Sequence, residues 1–327
     1  MHGWLVVNEF VNTPKFKDLF GMLEDAAARQ GDTLELLQNG QLWGMLGGIE
    51  YKSDALTGDT LTTEEEKMQG IRSGSVSNTG FCVEKPDYVL FWDKDIHLAE
   101  MLGEMGLPVF NSAAAIAVCD DKAETFIHLA RHGVRMPKTF IAPKKFPDDG
   151  LVSETFLEQV RENLGFPCVV KECSGSFGYQ VYLAENENKL REIILRLGSI
   201  PYLVQEYIGS SYGRDIRIEV VGGEVIAAMK RKNPADFRAN ITNGGTMEAY
   251  TPTKAQSEMA LEVSRLLGLD FAGVDILFGE NDEPILCEVN SNAHIRNLLT
   301  CTGINAAEAI LAHIHHKVKR RAAILRV

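Results

Sequence analysis

The stretch from Phe271 to Asn292, FAGVDILFGENDEPILCEVNSN, restricts the fold more tightly than any other part of the chain. Apolar residues alternate through Ala272, Val274, Ile276 and Phe278, and again through Ile285, Cys287 and Val289. That spacing predicts two strands paired across the polar turn Glu280-Asn281-Asp282-Glu283. Asp275, Glu288 and Asn290 break the apolar pattern. Glu288 and Asn290 lie two apart and share a face, and the hairpin would bring Asp275 beside them. Three oxygen donors converging in an apolar hairpin suit a hard cation, Mg²⁺ carrying substrate phosphates being the natural choice. The alternative is an edge hairpin with solvated acids, and the rest of the chain has to decide between the two.

A chain of 327 residues exceeds the size at which one core usually stops growing, so two or three domains are expected. Hydrophobic residues at 45% and charged residues at 24% are those of an ordinary globular protein, and the longest apolar runs fall well short of a membrane span. The N-terminus, MHGWLVVNEF, lacks the basic segment, long apolar run and cleavage site of a secretory signal, so no membrane partner and a cytoplasmic setting are expected. Six cysteines without a CxxC pair argue against zinc and against a disulfide framework, leaving free thiols in a reducing compartment. A formal charge of −12 opposes a broad nucleic-acid surface and favours small-molecule partners. The cluster His313, His315 and His316 reads either as a metal site or as the surface of an amphipathic terminal helix.

Read in order, the chain alternates strand and helix. Strands are expected at Trp4–Val7, Thr33–Leu37, Asp87–Trp92 and Pro108–Phe110, with helices at Pro14–Gln30 and Ile96–Met105. Such alternation implies a parallel sheet covered by helices. Residues 39–84, rich in Gly, Ser and Thr, show little periodicity. Asn111-Ser112 can cap a helix through Val118, and Asp120 or Asp121 the next, which Gly133 ends. A helix is expected at Glu154–Leu164, with strands at Lys138–Ala142, Pro167–Glu172, Val181–Ala184, Tyr202–Glu206, Asp215–Val221 and Glu224–Lys230. The last two strands join through Gly222-Gly223, a hairpin signal. A polar loop at 231–251, a helix at Lys254–Leu267 and a final helix at Asn305–Val318 complete the reading.

Between residues 169 and 181 an apolar strand delivers Lys171, and then come small residues, Gly175, Ser176, Gly178 and another strand. Glycines there let backbone N–H groups turn toward a polyphosphate while the lysine adds a point charge. The pattern is not a Walker loop, because the lysine precedes the glycines. An ordinary glycine-containing hairpin with a surface lysine would look the same. Downstream, the strand ending at Gln205-Glu206-Tyr207-Ile208 can offer backbone groups to an adenine edge. Arg217 and Arg231 project from neighbouring strands, and buried arginines call for anions, either a ligand's phosphate or carboxylate or cross-strand partners such as Glu219 and Glu224.

Taken together, NSAAAIAVCDDK, PCVVKECSGSFGYQV, LVQEYI, GRDIRIEVVGGEVIAAMKR, FRANITNGG, GVDIL and ILCEVNSN resemble the ATP-grasp superfamily, in its branch of ribosomal-protein-S6 modification (RimK) type, from about Asn111 to Ile314. The resemblance implies an α/β fold with α+β lobes: a preceding α/β domain over 1–111, a central lobe with a phosphate flap over 112–206, and a C-terminal lobe with the metal site over 207–327. It further implies that Lys122 and Lys171 hold ATP phosphates beneath a flap containing Ser176 and Gly178. Gln205, Glu206, Tyr207 and Ile208 would hold adenine, Asp215 would meet the ribose, and Asn240 would lie near the phosphates. Arg231 would stabilise the transferring phosphoryl group, and Asp275, Glu288 and Asn290 would hold two Mg²⁺ ions, with Mn²⁺ as a substitute. Arg217, Arg238, His294 and Arg296 become candidates for a substrate carboxylate. The implied reaction joins a carboxylate to an amine through an acylphosphate, adding glutamate or another amino acid to a metabolite or a protein tail, in a chain that similar proteins suggest is a homo-oligomer. Two segments depart from the branch, Ser291–Asn297 and Asn243-Gly244-Gly245. A phosphotransferase on the same fold and a non-catalytic nucleotide-binding regulator are the competing readings.

Overall fold

The computed structural model describes residues 1–11, 13–42, 85–146, 152–175 and 178–324, with backbone alone at 243 and 324. The chain divides into two compact units, residues 1–116 with 307–327, and residues 117–306. Ser176 and nearly all of the 39–84 stretch fall outside the described residues.

The first unit is built on a parallel sheet of order β2-β1-β3-β4, from β1 (His2–Val7), β2 (Thr33–Gln38), β3 (Tyr88–Trp92) and β4 (Val109–Phe110). Helix α1 (Pro14–Arg29) starts on a proline, whose missing N–H costs nothing in a first turn, and buries Leu19, Phe20, Leu23 and Ala27 at helical spacing. Asp95 caps α2 (Ile96–Glu104), and α3 (Ala113–Asp120) carries the chain across the unit boundary. The terminal helix, α9 (Ala306–Ile324), belongs mainly to this first unit and not to a C-terminal lobe as its position in the chain suggested. The buried Asp32 carboxylate explains the placement, since it takes the Met1 amine at 2.8 Å and His315 Nδ1 at 3.1 Å. That pairing uses the central histidine of the terminal cluster, and among the described residues no group of three His, Cys, Asp or Glu is placed to hold a metal. The five described cysteines are free.

The second unit carries two antiparallel sheets. One has the order β5-β8-β6-β7, from β5 (Thr139–Ile141), β6 (Cys168–Glu172), β7 (Val181–Ala184) and β8 (Tyr202–Glu206). Helices α5 (Glu154–Asn163) and α6 (Glu187–Leu197) pack Phe156, Leu157, Leu190 and Ile193 against its Cys168, Val170 and Val204. Helix α6 is absent from the sequence reading, although Asn186 caps it and Leu190, Ile193, Ile194 and Leu197 mark its buried face. Helix α4 (Lys122–Ala130), capped by Asp121, contributes Ala123 and Phe126 to a small cluster with Leu203.

The other sheet has the order β11-β10-β9-β12-β13, from β9 (Arg214–Val221), β10 (Glu224–Lys232), β11 (Thr246–Ala249), β12 (Phe271–Phe278) and β13 (Pro284–Asn290). Positive φ at Gly222 and Gly223 closes the β9–β10 hairpin as expected. The segment expected to be a polar loop contains β11, which pairs Thr246–Ala249 with Lys232–Met229. Only four residues long and largely exposed, β11 shows no apolar alternation to read. Helix α7 (Lys254–Leu266) covers one face of the sheet, burying Ala260 and Val263 against Ile216, Ile218, Val274, Ile276 and Leu286. The short helix α8 (Arg296–Thr302), also unforeseen, lies against β10 and β11.

Candidate active site

A cleft in the second unit encloses about 800 Å³ of empty space, open mouth included, which is the scale of a cofactor site. Its walls come from both sheets.

On the β6 side, period two sends Val169 and Lys171 to the cleft while Cys168 and Val170 enter the core. Gln205 and Leu203 stand opposite them in register and share that face. Lys171 is buried, with Nζ 3.9 Å from Cys287 Sγ. Lys122 begins α4, its backbone N–H tied to Cys173 O at 2.9 Å, and its Nζ donates to Gly175 O at 3.2 Å and lies 3.6 Å from Glu288 Oε1. A lysine at a helix N-terminus adds its charge to the positive end of the helix dipole. Two nearly buried ammonium groups with one nearby carboxylate, beside that helix end, form a site for an anion. Farther along, Gln205 donates to Thr139 Oγ1 at 2.9 Å and Glu206 accepts from Lys138 N at 3.2 Å, so both side chains are engaged while Tyr207 and Ile208 continue the wall.

The opposite wall is an ion network. Arg231 chelates Asp215 through Nε and Nη2, each at 2.7 Å, and its Nη2 also lies 3.0 Å from Asp275 Oδ2. Arg217 chelates Asp275 through Nε and Nη2, each at 2.6 Å. Register explains the pairing, since Asp215 stands opposite Arg231 and Arg217 opposite Asp275. Two acids and two guanidinium groups cancel in charge, which is how four ions persist in a dry strand interior. Burial alone would raise the Asp275 carboxyl, but Arg217 and then Arg231 outweigh it and hold it below the usual carboxylate range. Glu219, two residues beyond Arg217, is pushed up to about 8 by burial, against the pull of Arg217.

Asp275 stands directly opposite Glu288 across β12–β13, so the two carboxylates share the cleft face. The register slips between Asp275 and Ile276, making Cys287 the extra residue of a β-bulge. Strict alternation placed Cys287 on one apolar face with Ile285 and Val289; the bulge turns it into the cleft, and Leu286 joins Val289 in the core in its place. Burial pushes its thiol up to about 11, so it is a neutral S–H.

The donor set fits a magnesium-type cation. Glu288 keeps oxygens free beyond its contact with Lys122, and Asp275 Oδ1 takes Arg217 Nε alone, leaving a lone pair. Asn290, opposite Gly273, donates Nδ2 to Gly273 O at 3.4 Å, which leaves its amide oxygen available to a cation although the residue does not line the cleft.

The cleft thus brings together Lys122, Lys171, Gly178, Gln205 to Ile208, Asp215, Arg231, Arg238, Asn240, Asp275 and Glu288. Asn290, Arg217, His294 and Arg296 do not line it. Asp215, expected at a ribose, has both oxygens on Arg231. Arg217, expected at a substrate carboxylate, is committed to Asp275, because a buried guanidinium requires an anion and the nearest one is cross-strand. Among the residues not foreseen, Val169 and Leu277 could have been found, since each lies two positions from a residue that was. Arg214 and Phe237 carried no such signal.

Comparison with known proteins gives a consistent picture. A family model described as the RimK-like ATP-grasp domain matches residues 119–314. The ribosomal protein bS6–L-glutamate ligase of Escherichia fergusonii is 38% identical over 218 residues, 66% of this chain and 69% of that one. Human N-acetylaspartylglutamate synthase A is 36% identical over 202 residues, 61% of this chain and 50% of that one. The crystal structure of a RimK-domain ATP-grasp protein from Sphaerobacter thermophilus superposes with a TM-score of 0.66 over 96% of this chain and 99% of that one at 19% identity, a likeness of fold.

Proposed function

The chain belongs to the RimK-like ATP-grasp family and is an ATP-dependent ligase forming C–N bonds, and we propose that it joins a carboxylate to an amine through an acylphosphate, releasing ADP and phosphate. The observation that carries this reading is the convergence of Lys122, Lys171 and Arg231 with the facing pair Asp275 and Glu288 in one cleft.

In the proposed reaction a substrate carboxylate oxygen attacks the γ-phosphorus of ATP, the bond to the β–γ bridging oxygen breaks, and ADP leaves. The amine then attacks the acyl carbon and inorganic phosphate departs. Lys122 and Lys171 bind the phosphates, and Arg231, held by two acids, keeps Nη1 for the phosphoryl oxygens. Asp275, Glu288 and Asn290 would hold Mg²⁺, two ions in all with Mn²⁺ as a substitute, whose chemistry is to offset charge on those oxygens. Tyr207 and Ile208 seat the adenine by backbone groups, with Asn240 near the phosphates. Little proton transfer is required, so positioning and electrostatics supply most of the rate. The E. fergusonii ligase is named for a protein acceptor and the human synthase for a metabolite product. For this chain we propose an amino acid, glutamate or a near relative, as the amine, with an acceptor carboxylate of either kind.

Incubation with ATP, Mg²⁺ and pools of amino acids and carboxylates tests the proposal. The expected result is phosphate release that depends on both substrate classes, with a product mass equal to their sum less water. A stable phosphorylated product formed without any amine would replace the ligase by a phosphotransferase.

A further inference from the structure

The loop that follows β10 is built to present one side chain. Gly213 N donates to Phe237 O at 3.0 Å, and Gly213 O accepts from Asn233 N at 2.7 Å. At Gly213 φ is +59° and a Cβ would lie 2.0 Å from Asn233 O, so only glycine permits this closure. Asn233 Oδ1 accepts from Ala235 N at 3.1 Å, and Asp236 Oδ1 accepts from Arg238 N at 2.8 Å, so two short side chains turn the loop.

Arg238 is fixed by this frame. Its Nε donates to Asp236 Oδ1 at 3.0 Å and its Nη2 to Oδ2 at 2.8 Å, and the guanidinium lies 5.5 Å from the Phe237 ring centre. Nη1 donates across the cleft to Gly178 O at 2.9 Å and to Val181 O at 3.4 Å. All but one of its N–H groups are therefore used. A bidentate grip on a substrate carboxylate would need two.

We propose that Arg238 is a positioning residue that ties the Gly178–Val181 segment to the loop 233–240, so that β7 enters its sheet at a set height over the cleft. Gly178, with φ of +75°, occupies the left-handed region that other residues rarely adopt, and its carbonyl accepts from this arginine. Lys122 makes the matching contact at Gly175. Cations thus hold the carbonyls of Gly175 and Gly178, and each of them also lines the cleft. Arg238 holds the Asp236 carboxyl below the ordinary carboxylate range, so the pair that anchors the guanidinium is ionic at neutral pH while the tie itself is a cation-to-carbonyl hydrogen bond. The tie stands on these contacts alone; its consequence for turnover rests on the ligase reading.

Hydrogen–deuterium exchange on the full chain without ligand, followed in peptides spanning 178–184, tests the tie. Arg238→Ala should speed exchange there about tenfold or more while β12 keeps its wild-type rate. Arg238→Lys should restore part of the protection, because an ammonium can still reach one carbonyl, and Asp236→Asn should fall between. Wild-type exchange at 178–184 in the alanine variant, or equal acceleration throughout the second unit, overturns the proposal. Should the alanine variant fail to fold, Arg238→Lys and Asp236→Asn decide by the same local-versus-global criterion. In turnover, Arg238→Lys and Arg238→Ala should raise the ATP consumed per amide formed and leave the acceptor KM unchanged. A raised acceptor KM with coupling intact would make Arg238 a substrate ligand and overturn the proposal. If the wild-type chain forms no amide at all, the ligase reading fails, and the exchange result still decides the tie.

Discussion

The two faces of the sheet β11-β10-β9-β12-β13 are made by alternate residues of the same strands, yet they are held by different forces. One face carries Ile216, Ile218, Val274, Ile276 and Leu286, all fully buried against α7 and its neighbours. The other carries Asp215, Glu219, Arg231 and Asp275 at nearly the same burial, with Arg217 partly exposed among them. On the apolar face each side chain contributes on its own, roughly 25 cal/mol per Å² removed from water. On the polar face each charge is tolerable only because of its neighbour, and desolvation offsets much of the attraction. The comparison teaches that stability and chemistry are divided by strand parity, with one face able to absorb single changes that the other cannot.

Asp275→Ala should break the contrast most severely. It removes the carboxylate that Arg217 chelates, costing about 3–5 kcal/mol in denaturant unfolding and abolishing magnesium-dependent nucleotide binding by calorimetry. Ile276→Ala, its immediate neighbour on the other face, should cost about 3 kcal/mol through the cavity it leaves but retain nucleotide binding at temperatures where the chain is folded. Equal loss of binding in both variants would erase the distinction between the faces.

Glu219→Gln sharpens the comparison through pH. The folded carboxyl titrates near 8, above its ordinary 4.5, so between those values the folded state holds a proton that the unfolded state has released. Stability should therefore fall as pH rises from about 4.5 through 8 and level off above. The glutamine variant should lose that part of the slope, read as the urea midpoint against pH.

Glu288→Gln should have the smallest effect on stability, within about 1 kcal/mol, because its lysine contact is partly solvated. Its magnesium-dependent nucleotide affinity should nevertheless fall about tenfold or more. A large stability loss here would mean that the carboxylate serves the fold, not a cation.

Much of this was legible in the residues. The cap at Asp121, the Gly222-Gly223 turn and period two along β9 and β12 are local signals, and they appear where expected. Helix α6 carries equally local signals in Asn186 and its leucines and isoleucines, although the expected elements include no helix there. Strand β11 had none, because an exposed edge strand has no buried face to mark in the sequence.

What the sequence by itself determined is the alternation of faces along the regular strands, such as β9 and β12, since backbone geometry sets it before any tertiary contact forms. Only the tertiary structure decided what those side chains touch: that Arg231 joins Asp215 to Asp275, that a bulge turns Cys287 toward Lys171, and that the terminal helix returns to Asp32. The physical reason is that a buried ion takes the nearest opposite charge in space, and that neighbour is set by strand register and chain crossing, which no local pattern encodes.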